Sequence, residues 1–408
     1  MWFHSPDTAV GQLVAYGAQD IYLTANPQVT FFKVIYRRYT NFAMESIQIT
    51  FNGQTDFSKK ANATISRNGD LIWKMYLQID LPALTGTGTQ AWTHNIGTTM
   101  IDEVYIDIGG QKIDTQYGTW LYIWNELTQT EGQADNYNVM IGNTPELTTE
   151  ASSIAAQTLH VPLQFWFNRN IGLALPIIAL QYHEIKLYVT FRPFSECYVS
   201  ASGTVTVPQL GNVYLWVEYI FLDSDERKHF AQVAHEYLIE QVQFTGSESY
   251  SQTNVNQRLN FNHPCKALYF AAQLQSNVQG VSAAHSDANR WTDFTDGTTP
   301  YEGANVLSQA CLLINGGQRF APRVGKYFNE VQPFQHFTRG PAVGIYVYSF
   351  AVKPAEHQPS GSINMSRIDT ATLQLTFASN APVNTYVFAT NTNVGRIMNG
   401  MFGLAYSN

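Results

Sequence analysis

The chain has 408 residues, of which 13% are charged and 13% aromatic, and its formal net charge is −8. A disordered chain would carry fewer aromatic residues and more charge. The acidic surplus argues against a protein that coats nucleic acid, because such a coat needs basic residues to neutralise phosphates. Since single cores stop growing near ~250–300 residues, the length predicts two domains.

The cysteine pattern argues against a disulfide-stabilised secreted protein. Cys197, Cys265 and Cys311 lie far apart and form no CxxC motif. An odd number of separated cysteines argues against a disulfide framework and a structural zinc site, and favours a reducing compartment. The first seven residues lack the basic and apolar regions of a secretory signal. The longest uncharged apolar runs are shorter than the about 20 residues of a membrane-spanning helix, so we expect none.

In chain order, the first predicted element is a short helix capped by Asn26, with Pro27 in its first position. Four segments then alternate apolar and polar residues with a period of two, which predicts half-buried strands. They are residues 73–79, 104–108, 185–191 and 373–377. Another short helix is predicted from Asp223 to about Ala234, as a connector between domains. Many strands with few short helices indicate an all-β sandwich or barrel.

An internal repeat supports a duplicated β domain. The sequence GGQKI at 109–113 is followed by Gly118, and GGQRF at 316–320 is followed by Gly325, at the same spacing. The two copies are roughly half a chain apart, and an apolar strand candidate precedes each. A Gly-Gly hairpin turn explains the residue types, because such a turn needs positive φ. Chance similarity of two hairpins is the simpler alternative.

Motifs for catalysis or cofactor binding are missing from the sequence. It has no Gly-x-Ser-x-Gly elbow and no Walker A loop. The pairs His183-Glu184 and His235-Glu236 lack the second histidine of a zinc-protease helix, so we interpret both histidines as ordinary hydrogen-bonded residues. We expect no enzyme activity, no cofactor and no metal.

A cluster of oxygen-bearing side chains around residue 290 is the nearest approach to a calcium site. It contains Asp287, Asn289, Asp293 and Asp296. The spacing does not match an EF-hand loop, because Trp291 occupies the third ligand position. A solvated polar loop is the preferred interpretation.

Lys33, Arg37 and Arg38 form the densest basic patch in the sequence, within an aromatic-rich stretch. The simplest interpretation is a solvated helix face. The functional interpretation is contact with an acidic protein or an anionic surface. Nucleic acid is a weaker candidate because the whole chain is acidic.

Long blocks of this sequence resemble the major capsid proteins of nucleocytoplasmic large DNA viruses, above all those of algal viruses. The resemblance extends from about residue 12 to the end of the sequence. Its blocks are residues 12–24 (QLVAYGAQDIYLT), 26–38, 65–72 (ISRNGDLI), 172–184 (GLALPIIALQYHE), 235–246, 348–351, 358–369 and 396–406. Residues 1–11 and the segments at about 83–99, 275–305 and 378–394, which we interpret as loops, do not match.

The resemblance implies a double jelly roll, with two eight-stranded antiparallel β-sandwiches in tandem and short helices. The expected parts are an N-terminal arm (residues 1–26), a first jelly-roll domain (27–222) and a second one (223–408). It also implies a homotrimeric, pseudo-hexagonal capsomer that tiles the icosahedral shell of a large double-stranded DNA virus. Such a protein is located in the virion, after synthesis and assembly in the host cytoplasm.

The resemblance further implies the partners. They are neighbouring capsomers, minor capsid and penton proteins, and a nearby inner viral membrane, without direct nucleic-acid binding. Outer loops would contact the host surface or glycans. We expect Lys33, Arg37 and Arg38 to face inward, toward minor capsid proteins or lipid headgroups.

Two other functions are compatible with a duplicated β-sandwich. A carbohydrate-binding β-sandwich protein is the main alternative, and glycan binding by an isolated monomer would favour it. A β-sandwich hydrolase would need two carboxylates in a cleft, and no sequence motif nominates such a pair.

Overall fold

The computed structural model describes residues 7–28, 34, 36–200, 203–278 and 289–406. The chain divides into a small unit, Met1–Asn41, and a large unit, Phe42–Asn408. The small unit contains helices α1 (Asp7–Val14) and α2 (Ile21–Thr24). Every strand of the described residues belongs to the large unit.

The large unit consists mainly of antiparallel strands. Those before residue 223 are β1 (Phe42–Thr50), β2 (Lys60–Ile65), β3 (Leu71–Leu81), β4 (Leu84–Trp92), β5 (Ile101–Ile108), β6 (Gln111–Tyr117), β7 (Ala151–Ile154), β8 (Gln157–Pro162), β9 (Ile185–Phe191), β10 (Tyr198–Ser200) and β11 (Val213–Leu222). Those after it are β12 (His235–Phe244), β13 (Glu248–Tyr250), β14 (Asn254–Leu259), β15 (Pro264–Leu274), β16 (Leu307–Ile314), β17 (Gly317–Gln318), β18 (Arg323–Val324), β19 (Ile345–Ser349), β20 (Ile363–Asn364), β21 (Ala371–Phe377), β22 (Val383–Met398) and β23 (Met401–Leu404).

Helices of the large unit lie in the connections between strands. The α-helices are α3 (Ile96–Thr99), α4 (Gly118–Thr128), α5 (Glu131–Ile141), α6 (Pro145–Thr148), α7 (Trp166–Arg169), α8 (Ser224–Gln232), α9 (Gln275–Val278) and α10 (Gln332–His336). A π-helical segment, Tyr327–Val331, leads directly into α10. Short 3₁₀ turns occur at Ile171–Leu173, Ile177–Ala179, Phe194–Glu196 and Met365–Arg367.

The same sheet topology occurs twice. Before residue 223 the strands form two four-stranded sheets, with orders β1-β11-β3-β8 and β2-β9-β5-β6, and a small sheet β10-β4-β7. After it the main sheets have the orders β12-β22-β15-β19 and β14-β21-β16-β17. When the strands of the two halves are matched in chain order, β1-β11-β3-β8 corresponds to β12-β22-β15-β19. Likewise, β2-β9-β5-β6 corresponds to β14-β21-β16-β17. This is the double jelly roll, and the predicted all-β fold is confirmed.

Alternating side chains explain why these segments form strands. In β9 and in β21 buried and half-buried residues alternate along the whole strand. The buried sets fill two separate cores, with Leu187 in the first and Leu373 in the second. The predictions for the segments that became β3, β5, β9 and β21 are therefore confirmed.

Both predicted hairpins are present, but the turn of the second lies one residue earlier in the repeat than the turn of the first. The first turn is Gly109-Gly110, and both residues have positive φ. In the second hairpin the turn is Asn315-Gly316, because β16 ends at Ile314 and Gly317 already belongs to β17. Asparagine tolerates the left-handed conformation almost as well as glycine does, so it takes the place of the first glycine.

The helix predictions were partly wrong. Asn26 has a left-handed φ of 51° and follows the end of α2, so it does not cap a new helix in the described residues. Most of the residues that would follow in that helix, 29–33 and 35, lie outside the described part of the chain. Helix α8 is confirmed, with the Asp223 carboxylate accepting a hydrogen bond from the Ser224 amide. Helices α4 and α5, each of 11 residues, were not predicted.

Two of the segments interpreted as loops contain strands. Residues 83–99 include β4, and residues 378–394 include most of the 16-residue strand β22. These segments were interpreted as loops because they do not match the blocks of the family resemblance. Strand β22 is rich in asparagine and threonine. These polar side chains are buried and hydrogen-bonded: Asn393 Nδ2 donates to Gln241 Oε1 over 3.0 Å.

Candidate functional site

The basic patch predicted to contact partners lies in the small unit. Arg37 and Arg38 are exposed and belong to no helix or strand. Lys33 lies outside the described residues. The structure thus presents two neighbouring guanidinium groups at the surface, as a contact with an anionic partner would require.

The two histidines of the His-Glu pairs have structural partners. His183 Nδ1 accepts a hydrogen bond from the Phe402 amide at 3.1 Å, and His235 Nε2 is 2.9 Å from the Phe230 carbonyl oxygen. The interpretation as hydrogen-bonded histidines is confirmed.

The buried carboxylate of Asp293 organises the acidic loop around residue 290. Asp293 is fully buried; its Oδ1 accepts hydrogen bonds from the amide and hydroxyl of Thr295, and its Oδ2 pairs with Arg290 at 3.3 Å. The expectation of a solvated loop was therefore wrong for Asp293, which organises the loop from inside. Asp287 lies outside the described residues. Among the residues the structure describes, no group of three or more His, Cys, Asp or Glu could hold a metal ion.

Helix α4 forms an apolar contact between the two halves of the chain. It contains five consecutive apolar residues, 120–124, and is buried along almost its whole length. Its Trp120 ring lies 5.0 Å from the ring of Tyr269 and 5.6 Å from that of Phe388, both on the second half. Tyr269 is on β15, whose alternate residue Leu268 faces the second core. Sheet β12-β22-β15-β19 is therefore buried on both faces.

A buried ionic cluster lies beside this contact. Glu240 of β12 pairs with Lys266 of β15 at 2.7 Å and with Arg169 of α7 at 3.1 Å. The Arg169 guanidinium also lies 4.6 Å from the ring centre of Trp124 in α4. Burial alone would raise the pKa of Glu240, but Arg169, His357 and Lys266 together hold it at about 2. The carboxylate is therefore ionised and tightly held at neutral pH, and it links three elements of the two halves.

A second acid connects the halves, and among the described residues no cationic side chain forms an ion pair with it. Asp114 of β6 is buried, and its Oδ1 accepts a hydrogen bond from the Val242 amide of β12 at 2.9 Å. Burial raises the pKa of Asp114 to about 7, although the hydrogen bond from Val242 and the charge of Arg169 act in the opposite direction. The neighbouring Gln241 side chain donates to the Ile113 carbonyl oxygen. These two hydrogen bonds connect β6 of the first half with β12 of the second half, and we call this contact the joint.

A cleft of about 700 Å³ opens next to this joint. Helix α5 forms part of its wall with Gln133, Tyr137 and Met140. The other side includes Tyr76 of β3 and Glu356 of the second half.

Sequence reasoning missed the ionic cluster and the helix between the halves. One signal was present: Lys266 is the single charged residue of β15, whose neighbours are mostly apolar. A lysine in such a strand needs a buried acidic partner. The identity of that partner, Glu240, depends on sheet pairing through β22, which local sequence does not show.

Two family models together match most of the chain. The model "Major capsid protein N-terminus" matches residues 30–223, and "Large eukaryotic DNA virus major capsid protein" matches residues 226–403. The major capsid protein of Pyramimonas orientalis virus is 47% identical over 97% of this chain and 98% of its own length. The chain belongs to this family. The resemblance stated from the sequence is confirmed, and the carbohydrate-binding alternative receives no support.

Solved structures of this family have the same fold. The crystal structure of PBCV-1 VP54 covers 93% of this chain and 100% of its own, with a TM-score of 0.80 and 39% identity. The chain in a quasi-atomic model of the PBCV-1 virus capsid covers the same shares, with a TM-score of 0.77 and 38% identity. This major capsid protein is thus a structural component of the virion that assembles with neighbouring capsomers into the capsid of a large DNA virus. No helix of the described residues is long and apolar enough to cross a membrane.

Proposed function

We propose that this major capsid protein forms a homotrimeric, pseudo-hexagonal capsomer. Each chain contributes two jelly-roll domains, residues 27–222 and 223–408, and an N-terminal arm, residues 1–26. The observation that carries the proposal is the repeated strand order of the two halves. Three chains with two similar sandwiches each place six similar units around one axis, so a threefold particle fits a sixfold lattice position.

The partners in the shell follow from this position. The capsomer contacts its neighbours, minor capsid and penton proteins, and faces an inner membrane, while outer loops meet the host surface or glycans. Arg37 and Arg38, which are exposed, and Lys33 are proposed as inner-face contacts with minor capsid proteins or lipid headgroups. The net charge of −8 supports a shell that does not bind the genome directly. The protein is made and assembled in the host cytoplasm and has no catalytic role.

The trimer is tested by the molar mass of the purified protein in light scattering on a sizing column. A chain of 45.8 kDa gives a trimer of about 137 kDa. A species of this mass that persists on dilution, with a hexagonal outline in electron microscopy, is the expected result. A strict monomer in the presence of the minor capsid proteins contradicts the proposal.

The basic patch is tested by exchanging its charges. The double variant Arg37→Glu/Arg38→Glu should retain the trimer mass but no longer sediment with vesicles that contain anionic lipid. The matched control is Arg258→Glu/Arg319→Glu, which reverses two exposed arginines elsewhere and should sediment like the wild type. If both double variants sediment with the vesicles to the same extent, Arg37 and Arg38 do not contact lipid.

A further inference from the structure

A pocket of about 380 Å³ lies between the two halves of the chain, beside the ionic cluster of Glu240. Trp73 of β3 and Trp166 and Arg169 of α7 line it from the first half, and Glu240 and His357 line it from the second. Ligand pockets in proteins measure about 300–1,000 Å³, so the volume suits a small molecule. Nothing in the shell-forming role of the chain requires such a pocket.

Three polar atoms of the residues around this pocket are buried without a hydrogen-bond partner in the described part of the chain. They are Nε1 of Trp73, Nε of Arg169 and Oε2 of Glu240. Oε2 lies 3.1 Å from Nη1 of Arg169, which makes an ion pair but no hydrogen bond. Since buried polar groups almost always have a partner, three such atoms beside one pocket indicate that a bound molecule supplies the missing hydrogen bonds.

Other contacts of the same residues keep these atoms in place. The side chain of Asn168 in α7 donates a 2.6 Å hydrogen bond to the carbonyl oxygen of Trp73, which ties α7 to β3. Lys266 donates to Oε1 of Glu240 at 2.7 Å and leaves Oε2 available. The two N–H donors and the carboxylate acceptor are therefore in position before a ligand arrives, so binding costs little ordering of side chains.

The charges around the pocket favour an anion. Lys266 and Arg169 together carry one positive charge more than Glu240 neutralises, and the nearby pair of Lys353 and Glu356 is neutral as a whole. A neutral ligand such as a sugar would leave this excess charge uncompensated. Two of the three unpartnered atoms are N–H donors, which also suits the oxygen atoms of an anion.

The unpartnered carboxylate oxygen restricts the anion further. Oε2 of Glu240 accepts hydrogen bonds only, so the bound anion must itself donate a proton. Sulfate and carboxylate ions have no such proton near neutral pH. A phosphate monoester has a second pKa near ~6 and therefore keeps a P–OH group in a fraction of its molecules.

We propose that this pocket binds a phosphate group in its singly charged form, H₂PO₄⁻ or R–O–PO₃H⁻. Arg169 Nε and Trp73 Nε1 donate hydrogen bonds to phosphate oxygens, and the P–OH group donates to Glu240 Oε2. The rest of the pocket, bordered by Trp166 and the half-exposed Ile171, has room for the group that carries the phosphate. Free phosphate and a phosphomonoester lipid headgroup share this chemistry. The site lies within one chain and does not depend on the proposed trimer.

The first test compares inorganic phosphate with sulfate at pH 6 and equal ionic strength. Both ions stabilise proteins in general because they are excluded from the protein surface, so only the excess effect of phosphate counts. Phosphate should raise the unfolding temperature of the purified protein in a saturable way and give a binding isotherm in calorimetry. An equal effect of the two ions, without an isotherm, would overturn the proposal, because the pocket would then hold only water.

The second test removes one donor and keeps the aromatic ring. Trp73→Phe should weaken phosphate binding by roughly tenfold or more, because a hydrogen bond to a charged group is lost. Without phosphate its unfolding temperature should stay the same or rise, because the variant no longer buries an unpartnered N–H group. Trp216→Phe is the matched control: this half-buried tryptophan donates to Gln78 at 2.7 Å and lies outside the pocket, so the variant should bind phosphate like the wild type. Wild-type affinity in a folded Trp73→Phe protein contradicts the site.

Vesicles distinguish the two sources of the phosphate group. Phosphatidic acid carries a phosphate monoester, whereas phosphatidylglycerol carries a diester, which has no P–OH group near neutral pH. Stronger sedimentation with phosphatidic acid vesicles, lost in Trp73→Phe, would assign the pocket to a lipid headgroup. Binding of free phosphate with equal sedimentation on both vesicles of matched charge would assign it to a soluble phosphate. The exposed Arg37 and Arg38 contribute equally to both vesicle types, and binding in neither arm overturns the proposal.

Discussion

The backbone amide of Val242 in β12 donates a 2.9 Å hydrogen bond to the buried carboxylate of Asp114 in β6. The two residues belong to different halves of the capsid protein. An acid whose pKa is raised to about 7 therefore lies inside the joint that holds the two sandwiches together. Two residues before Val242 on the same strand, Glu240 has a pKa lowered to about 2. The joint thus contains two acids whose shifted pKa values change the unfolding free energy with pH in opposite directions.

Asp114→Asn should flatten the dependence of stability on pH. Because the folded pKa of about 7 exceeds the unfolded value of 3.8, the contribution of Asp114 is fully present below pH 3.8 and is lost as pH rises through 7. The wild type should lose up to ~1.4 kcal/mol of unfolding free energy per pH unit relative to the variant in this window. Urea unfolding of both proteins between pH 5 and 7.5 measures the difference, and parallel curves would contradict the prediction.

Glu240→Gln should destabilise the protein strongly at pH 7. The change leaves Lys266 and Arg169 without their buried counter-charge, and removal of one partner of a buried pair costs about 3–5 kcal/mol. Glu236→Gln in the same strand is the matched control, because its pair with Arg396 is exposed and contributes about 1 kcal/mol or less. Chemical unfolding of the two variants gives the comparison; a similar loss in both would show that the ionic cluster contributes little.

Gly118→Ala and Gly325→Ala should both destabilise the fold, by about 1–3 kcal/mol or more. The added Cβ would overlap backbone carbonyl oxygens, which a side-chain rotation cannot relieve. In Gly132→Ala, within α5, the new Cβ meets nothing within 4 Å, so the same change should stabilise by roughly 0.4–1 kcal/mol. Thermal unfolding of the three variants tests the contrast. Unchanged stability in Gly118→Ala would argue against the close approach of α4 to the backbone carbonyl oxygens of Thr98 and Ile101.

The three thiols should be unreactive in the folded protein. Cys197, Cys265 and Cys311 are free and buried, and burial raises the pKa of Cys197 and Cys265 to about 12. A thiol reagent such as DTNB should therefore label none of them at pH 8 until denaturant is added, and then all three, because the thiolate is the reactive form. Rapid native labelling of any one would contradict the burial described.

The strands with one solvated face were predictable because their alternation is local. Strand β9 shows it in seven consecutive residues, and its pairing with β5 and β2 follows the jelly-roll order. Helix α4 was not predictable in this way, since its five consecutive apolar residues, 120–124, do not show the spacing of an amphipathic helix. Its burial depends on Tyr269 and Phe388, which are far away in the sequence.

The candidate site was predictable only where it lies in one sequence segment. The basic residues Arg37 and Arg38 are adjacent and were found directly. Glu240, Lys266 and Arg169 come from three elements, and only the fold brings their charges together. The family resemblance supplied the architecture, but the joint between the halves required the side-chain contacts.

The covalent link between the halves also changes how the capsomer depends on concentration. If the six sandwiches were separate chains, all six would have to associate, and the yield of capsomers would fall steeply when the protein is diluted. In the proposed trimer, three of the six contacts between neighbouring sandwiches are already made within single chains, because α4 packs on the second half of its own chain. The linked contacts form at the high effective concentration of an intramolecular reaction. Only three chains then have to meet for each capsomer, so the capsomer yield falls less steeply on dilution than it would for six separate sandwiches.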